Sequence, residues 1–282
     1  MNSFKPAVVL MVALLISACQ PGYERDAAEV PTEDELELWL PPILAGDHRS
    51  EAHKHRDQYR NPLETLSFFG VSVDDRVIEI NPGNGWYTEI LAPLLFAHGQ
   101  YVAATPDPSI DGLPGYFVAH AQGMQERKNE QSELFGEIEI QFYDPESPVL
   151  GEPESADKVL TFRNIHGWIN AGTAESMFEA FAEVLKPGGV LGVVQHRAPE
   201  GADPDASAPE GYVSESAVIA LAEAAGLSFD GRSEVNANPK DTRQHPYGVW
   251  TLPPSLRLGD EQREHYLDVG ESDRMTLRFK KE

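Results

Sequence analysis

The chain has 282 residues, with 46 acidic against 22 basic side chains and a formal net charge of −24. A charge of that sign repels phosphate backbones, which proteins grip through basic patches, so nucleic acid is excluded as a partner. The single cysteine, Cys19, sits at the end of an N-terminal apolar stretch, and its commitment there leaves no disulfide, thiolate nucleophile or cysteine metal site.

Lys5 precedes the apolar stretch 6–18, which ends at Cys19. The stretch falls short of the roughly 20 apolar residues that cross a bilayer. Its charged start and the small residues before the cysteine read as an export signal. Ile16-Ser17-Ala18-Cys19 resembles a bacterial lipobox, which implies removal of 1–18 and lipidation of Cys19. Gln20 in place of an acidic residue implies an outer-membrane anchor facing the periplasm. Each acyl methylene adds about 0.8 kcal/mol of membrane affinity, so the lipid is the only membrane contact the sequence calls for. An uncleaved anchor or a fortuitous cysteine is the alternative. Residues 20–35 are acidic and poor in large apolar side chains, too little to offset their ordering entropy. We read 19–50 as an acidic tether that includes a short helix at 36–44, and 51–282 as one α/β domain.

A helix at 52–69 opens that domain. From Arg76 onward, short apolar runs alternate with longer amphipathic stretches, the pattern of βαβ units around a parallel sheet. Strands are predicted at 76–80, 101–105, 138–143, 158–161, 189–195, 227–234 and 275–280, with helices at 87–95, 116–133, 174–185 and 214–225. Lys186-Pro187-Gly188-Gly189 stops the third of these helices. The long Pro-containing segment 236–270 is a candidate functional loop, because structureless loops of that length are seldom idle.

Val77-Ile78-Glu79-Ile80-Asn81-Pro82-Gly83-Asn84-Gly85 runs an apolar strand into a glycine turn, with Trp86-Tyr87-Thr88 opening a helix. Glycine there lets backbone approach a ligand, beside a helix start that carries partial positive charge. This stretch resembles the first motif of class I S-adenosylmethionine-dependent methyltransferases, an acidic residue followed by Gly-x-Gly-x-Gly. Glu79 matches the acid, Gly83 and Gly85 the second and third glycines, and Asn81 replaces the first. The resemblance runs over about 60–195 and includes Asp144 after the third strand, 157–166 as a fourth-strand motif, and Leu185-Lys186-Pro187-Gly188-Gly189. It implies a Rossmann-like, mostly parallel seven-stranded sheet with helices on both faces and an antiparallel last strand. More narrowly, 59–66, 81–91 and 271–276 resemble a group of predicted exported bacterial methyltransferases. The cofactor implied is S-adenosylmethionine, bound by Glu79, Asn81, Gly83, Gly85, Asp107 and Asp144. One departure stands out: the second strand ends at Thr105 rather than an acidic residue, and Asp107 lies two positions beyond.

Methyl transfer rests largely on positioning, with a base where the acceptor is a hydroxyl or protonated amine. Arg163-Asn164-Ile165-His166-Gly167-Trp168 follows the fourth strand, at the sheet edge where ligands collect. Here His166 is the candidate base or acceptor-orienting group, Arg163 and Asn164 hold a polar or anionic small-molecule acceptor, and Trp168 packs on donor or acceptor. The plain alternative is that His166 and Trp168 fill and cap the next helix. His196 and Arg197 end the fifth strand on the same edge, and His196 joins the catalytic candidates. Asn236, Asn238, Lys240 and Asp241 form either a lid or ordinary turns. His53, His55, Asp57 and Tyr59 invite a metal reading, but i, i+2 spacing splits them between helix faces. Glu271-Ser272-Asp273-Arg274 forms internal ion pairs or approaches the pocket mouth. A methyltransferase acting on a small-molecule or envelope acceptor is the leading reading. A catalytically inactive ligand-binding lipoprotein of the same fold is the alternative, and hydrolytic chemistry lacks a nucleophile elbow.

Overall fold

The computed structural model describes residues 36–282. The predicted leader, the Cys19 lipidation position and the tether up to residue 35 lie outside the described residues. Seven strands, β1 Arg76–Ile80, β2 Gln100–Pro106, β3 Glu139–Tyr143, β4 Ala156–Phe162, β5 Leu185–His196, β6 Leu227–Ser233 and β7 Arg274–Lys281, make one sheet in the order β3-β2-β1-β4-β5-β7-β6. Pairings from β3 across to β5 are parallel, and β7 runs antiparallel to both β5 and β6. The sheet is therefore the expected Rossmann-like one with an antiparallel last strand.

The helices are α1 Leu36–Ala45, α2 Glu51–Lys54, α3 Asp57–Arg60, α4 Pro62–Phe69, α5 Thr88–Leu95, α6 Gly115–Glu130, α7 Ser132–Phe135, α8 Ile165–Ala171, α9 Ala174–Val184, α10 Pro204–Ser207, α11 Glu215–Ala224 and α12 Arg263–Val269. They cover both faces. Ile78 and Ile80 of β1 point into one core with Met177, Phe178 and Phe181 of α9. Val77 points into the other with Leu66 and Phe69 of α4 and Ile90 and Leu91 of α5. Burial on both faces is why the β1 sequence is nearly continuous in apolar residues. Along α9, positions 174, 177, 178, 181 and 184 are buried, the i, i+3, i+4 spacing of one helix face.

Three boundaries differ from the sequence reading. Residues 36–50 are not tether: Leu36, Leu40 and Ile43 enter the second core, and Arg49 is buried with its guanidinium on Asp57 at 2.7 Å. The helix expected at 52–69 is three short helices. Its last break falls at Asn61, left-handed at φ 40°, immediately before Pro62, which disfavours helical geometry in the residue preceding it and suits the first position of α4. The helix expected at 116–133 breaks at Gln131 into α6 and α7.

Between β1 and β4 the chain reverses its direction of growth across the sheet. β2 and β3 lie to one side of β1, and β4, β5, β7 and β6 to the other. Ligands in open α/β sheets bind beyond the strand C-termini at such a point.

Candidate functional site

A cavity of about 730 Å³ opens beyond the C-terminal ends of β1, β4 and β5, within the usual range for small-molecule sites. Its floor is the turn after β1. Asn81 adopts φ 50°, which asparagine tolerates better than most residues, and Gly83 and Gly85 adopt φ 60° and 79°. The Asn81 amide donates to Ala104 O at 2.8 Å, and its side-chain oxygen accepts from the Tyr143 hydroxyl at 2.9 Å, so the residue replacing the first glycine is fixed at both ends. A side chain at Gly83 would meet only His120, at 3.9 Å, so the space above it is open. Trp86 and Tyr87 wall the hollow rather than fill it. Trp86 Nε1 donates to His53 O at 2.9 Å, and the Tyr87 ring stacks on Phe162 at 3.5 Å.

Of the six residues assigned to the cofactor, Glu79, Asn81 and Gly83 line this cavity. Gly85 does not. It lies under Arg127, which donates to Glu89 at 3.0 Å and approaches the Gly85 carbonyl at 3.4 Å. Glu79 is buried at the sheet and accepts from the Tyr101 hydroxyl at 2.5 Å, with Thr88 Oγ1 at 3.4 Å. Burial pushes its pKa up to about 7 against the downward pull of those hydrogen bonds. Neither Asp107 nor Asp144 lines the cavity. The Asp107 carboxylate accepts from the Ser109 amide at 2.9 Å and hydroxyl at 2.7 Å, closing a local turn. Asp144 is exposed and accepts from the Glu146 amide at 2.9 Å, while its neighbours Tyr143 and Pro145 face inward. Tyr116, Phe117 and His120 of α6 form the wall on that side.

At the other end, Arg163, Asn164, His166 and His196 all line the cavity, as the sequence reading expected. Arg163 follows β4 directly at φ 66°, an uncommon backbone for a residue with a side chain, held by its amide on Val194 O at 2.7 Å. Asn164 is committed to structure: its amide donates to Ile80 O at 2.8 Å and Thr161 Oγ1 at 3.1 Å, joining β1 to β4. Of the two roles open to His166, base or acceptor-orienting group, its hydrogen bonds favour the second. Gln195 accepts from the Ile165 amide through Oε1, which leaves its Nε2 to donate to Gly211 O at 3.0 Å and to His166 Nδ1 at 3.3 Å. The neutral His166 ring therefore carries its proton on Nε2 and is a donor. Burial also lowers its pKa to about 4. His196, half-buried beside His166 and Arg163, has its pKa held well below the ordinary value by desolvation and those neighbours, and its Nδ1 sits 2.5 Å from Ser272 Oγ. Because that hydroxyl can donate or accept, His196 Nε2 can be the unprotonated nitrogen. Trp168 packs on Phe181 at 5.6 Å and also lines the cavity.

Other candidates turn away. Arg197 pairs with Asp273, Glu215 and Glu234 at 2.8–3.0 Å. Asn236 bonds Thr65 and Thr276, Asn238 bonds two carbonyls, Lys240 bonds Asp268, and buried Asp241 accepts from Tyr212 and His245, so these residues staple the long loop to the fold. The loop contributes to the cavity through Trp250 and Pro254 instead. His53 lines the cavity while joining Glu89 at 2.8 Å, and Asp57 joins Arg49. The sequence reading missed Arg56 and Arg60, which line the cavity, and left open the place of Glu271, which lies between them. Their only local signal is two arginines four residues apart.

An adenosyl donor fits the floor of this cavity. The hollow over Gly83 is the space that a side chain would close, and apolar and aromatic groups flank it. The Asp107 carboxylate is engaged by Ser109.

No family model matches the chain, and no curated protein matches it either. Solved structures do. A SAM dependent methyltransferase from Aquifex aeolicus is 16% identical, with a TM-score of 0.50 over 73% of this chain and 93% of that one. Geranyl diphosphate methyltransferase in complex with SAM gives 0.55 at 12% identity, covering 85% and 94%. The cyclase SpnF gives 0.53 at 14% identity, covering 88% and 93%. The fold is that of the Rossmann-like methyltransferases, and it serves a cyclase as well.

Proposed function

We propose that this protein transfers a methyl group from S-adenosylmethionine to a small-molecule or envelope acceptor. One observation carries the reading: the open hollow over Gly83 is continuous with the Arg163, His166 and His196 edge, so one cavity can hold a donor and an acceptor together. S-adenosylmethionine, when bound, supplies an electrophilic methyl group. Asn81 and Gly83 would hold it through backbone, with Tyr116 and Phe117 offering flat apolar surface. His166 offers an N–H to the acceptor. His196, neutral and oriented by Ser272, is the better placed of the two rings to take a proton.

Calorimetry of the purified protein with S-adenosylmethionine and S-adenosylhomocysteine tests the donor site, and micromolar binding of both is expected. Silence with both in a folded sample defeats the reading and favours a ligand-binding lipoprotein without catalysis. That second reading has its own support in the Asp107 carboxylate, which serves Ser109 instead of the cavity. For location, we propose a lipid anchor on Cys19 at the periplasmic side of the outer membrane. Cys19→Ser would then release the protein to the soluble envelope fraction, and persistent membrane association would reject lipidation as the sole tether.

A further inference from the structure

Four arginines from distant parts of the chain gather at the His166 and His196 end of the cavity. Arg56 and Arg60 come from the α3 region, Arg163 from directly after β4, and Arg274 from the start of β7, opposite His196. One carboxylate serves three of them: Glu271 meets Arg56 Nε at 2.6 Å, Arg274 Nη1 at 3.1 Å and Arg60 Nε at 3.4 Å. Among the described residues no carboxylate stands within ion-pair distance of Arg163. Four positive charges against one negative leave a surplus of three in a chain of net charge −24.

That surplus is costly as it stands, because a buried charge without a partner is penalised by several kcal/mol. Arg60 is 2% exposed, and its Nη2 is buried without a hydrogen-bond partner; the same holds for Arg56 Nη2. Both residues line the cavity with Arg163. Among the described residues the one carboxylate that lines the cavity, Glu79, is occupied by Tyr101 and Thr88. A ligand is the natural source of the missing negative charge, and guanidinium groups suit oxyanions that accept several parallel hydrogen bonds. A sulfonium is a cation, so the arginines do not complement the donor's charged centre. A monocarboxylate would neutralise one of three surplus charges, whereas a phosphate monoester brings about two and three acceptor oxygens.

We propose that this end of the cavity is a subsite for a doubly charged oxyanion, the phosphate monoester of an acceptor molecule, gripped by Arg56, Arg60 and Arg163 with Glu271 holding the first two in place. Its assignment to the acceptor rests on the methyltransferase reading; the subsite itself does not.

The test is calorimetric titration of the purified protein with inorganic phosphate at constant ionic strength, with chloride and acetate as controls, repeated under saturating S-adenosylhomocysteine. Phosphate should bind at least tenfold more tightly than acetate, with and without S-adenosylhomocysteine. Arg163→Met, which orphans no carboxylate, should weaken phosphate at least tenfold, and Arg163→Lys should weaken it less. Absence of phosphate binding to the unmodified protein overturns the proposal, as does equal affinity for acetate or unchanged affinity in Arg163→Met. Displacement of phosphate by S-adenosylhomocysteine also overturns it, because the arginines would then hold the donor's own carboxylate. If phosphate binds and S-adenosylhomocysteine does not, the subsite stands and the methyltransferase reading alone fails.

Discussion

Replacing Glu271 by glutamine removes the one anion shared by Arg56, Arg60 and Arg274 while keeping shape and an acceptor oxygen. Burial alone would raise the Glu271 pKa, but Arg60, Arg274, Arg56 and Arg163 together outweigh it and hold the group at about 2, below its ordinary 4.5. At about 1.4 kcal/mol per pH unit, the ionised side chain contributes about 3 kcal/mol to folding at neutral pH. The group is 4% exposed, so solvent screening removes little of this. A depressed carboxylate pKa gives stability that is complete above the unfolded value and lost as pH falls through the folded one. The contribution should therefore be full at pH 7, fall to roughly 1 kcal/mol at pH 3, and vanish below both pKa values. Urea denaturation followed by circular dichroism, comparing wild type with Glu271→Gln at pH 7 and pH 3, reads both quantities. A variant as stable as wild type at pH 7 refutes the reasoning, as does an equal deficit at the two pH values, which would point to lost packing rather than lost charge.

Glu79 shows the opposite sign. Its raised pKa means that the folded state keeps a proton which the unfolded chain loses, so stability should decline as pH rises from about 4.5 to about 7, and Glu79→Gln should flatten that limb of a stability-versus-pH profile. Gly83→Ala places a methyl group in open space but forces a side chain onto φ 60°, and should cost roughly 1 kcal/mol in denaturant unfolding. The same change should weaken S-adenosylhomocysteine at least tenfold; unchanged affinity would place the donor elsewhere. Asp107→Asn should leave donor affinity within twofold, since that carboxylate serves Ser109, and a tenfold loss by calorimetry would return it to the ribose.

What was legible in the sequence is what local patterning enforces. The apolar run 77–80 had to be a strand buried on two faces, and the positive φ values required at 81, 83 and 85 selected asparagine and glycine, so the turn and its cavity were visible as letters. The strand ends near His166 and His196 followed from the same alternation, because the C-terminal edge of a parallel sheet is one surface. Side-chain commitments were not legible. Asp107 looked like a ribose ligand by position, yet Ser109 two residues on offered a nearer hydrogen-bond partner. By residue type His166 could be a base or an acceptor-orienting group, and Gln195, on another strand, decided which nitrogen carries its proton.

The arginine cluster lay furthest from view. Glu271 is 215 residues from Arg56 and 211 from Arg60, so no periodicity links them. The sequence by itself determined the order of strands and helices and the hollow after β1, since backbone geometry and burial period depend on neighbours a few residues away. Only the tertiary structure decided which charges meet in that hollow, because a buried charge takes its pKa and its partner from whatever the fold packs against it.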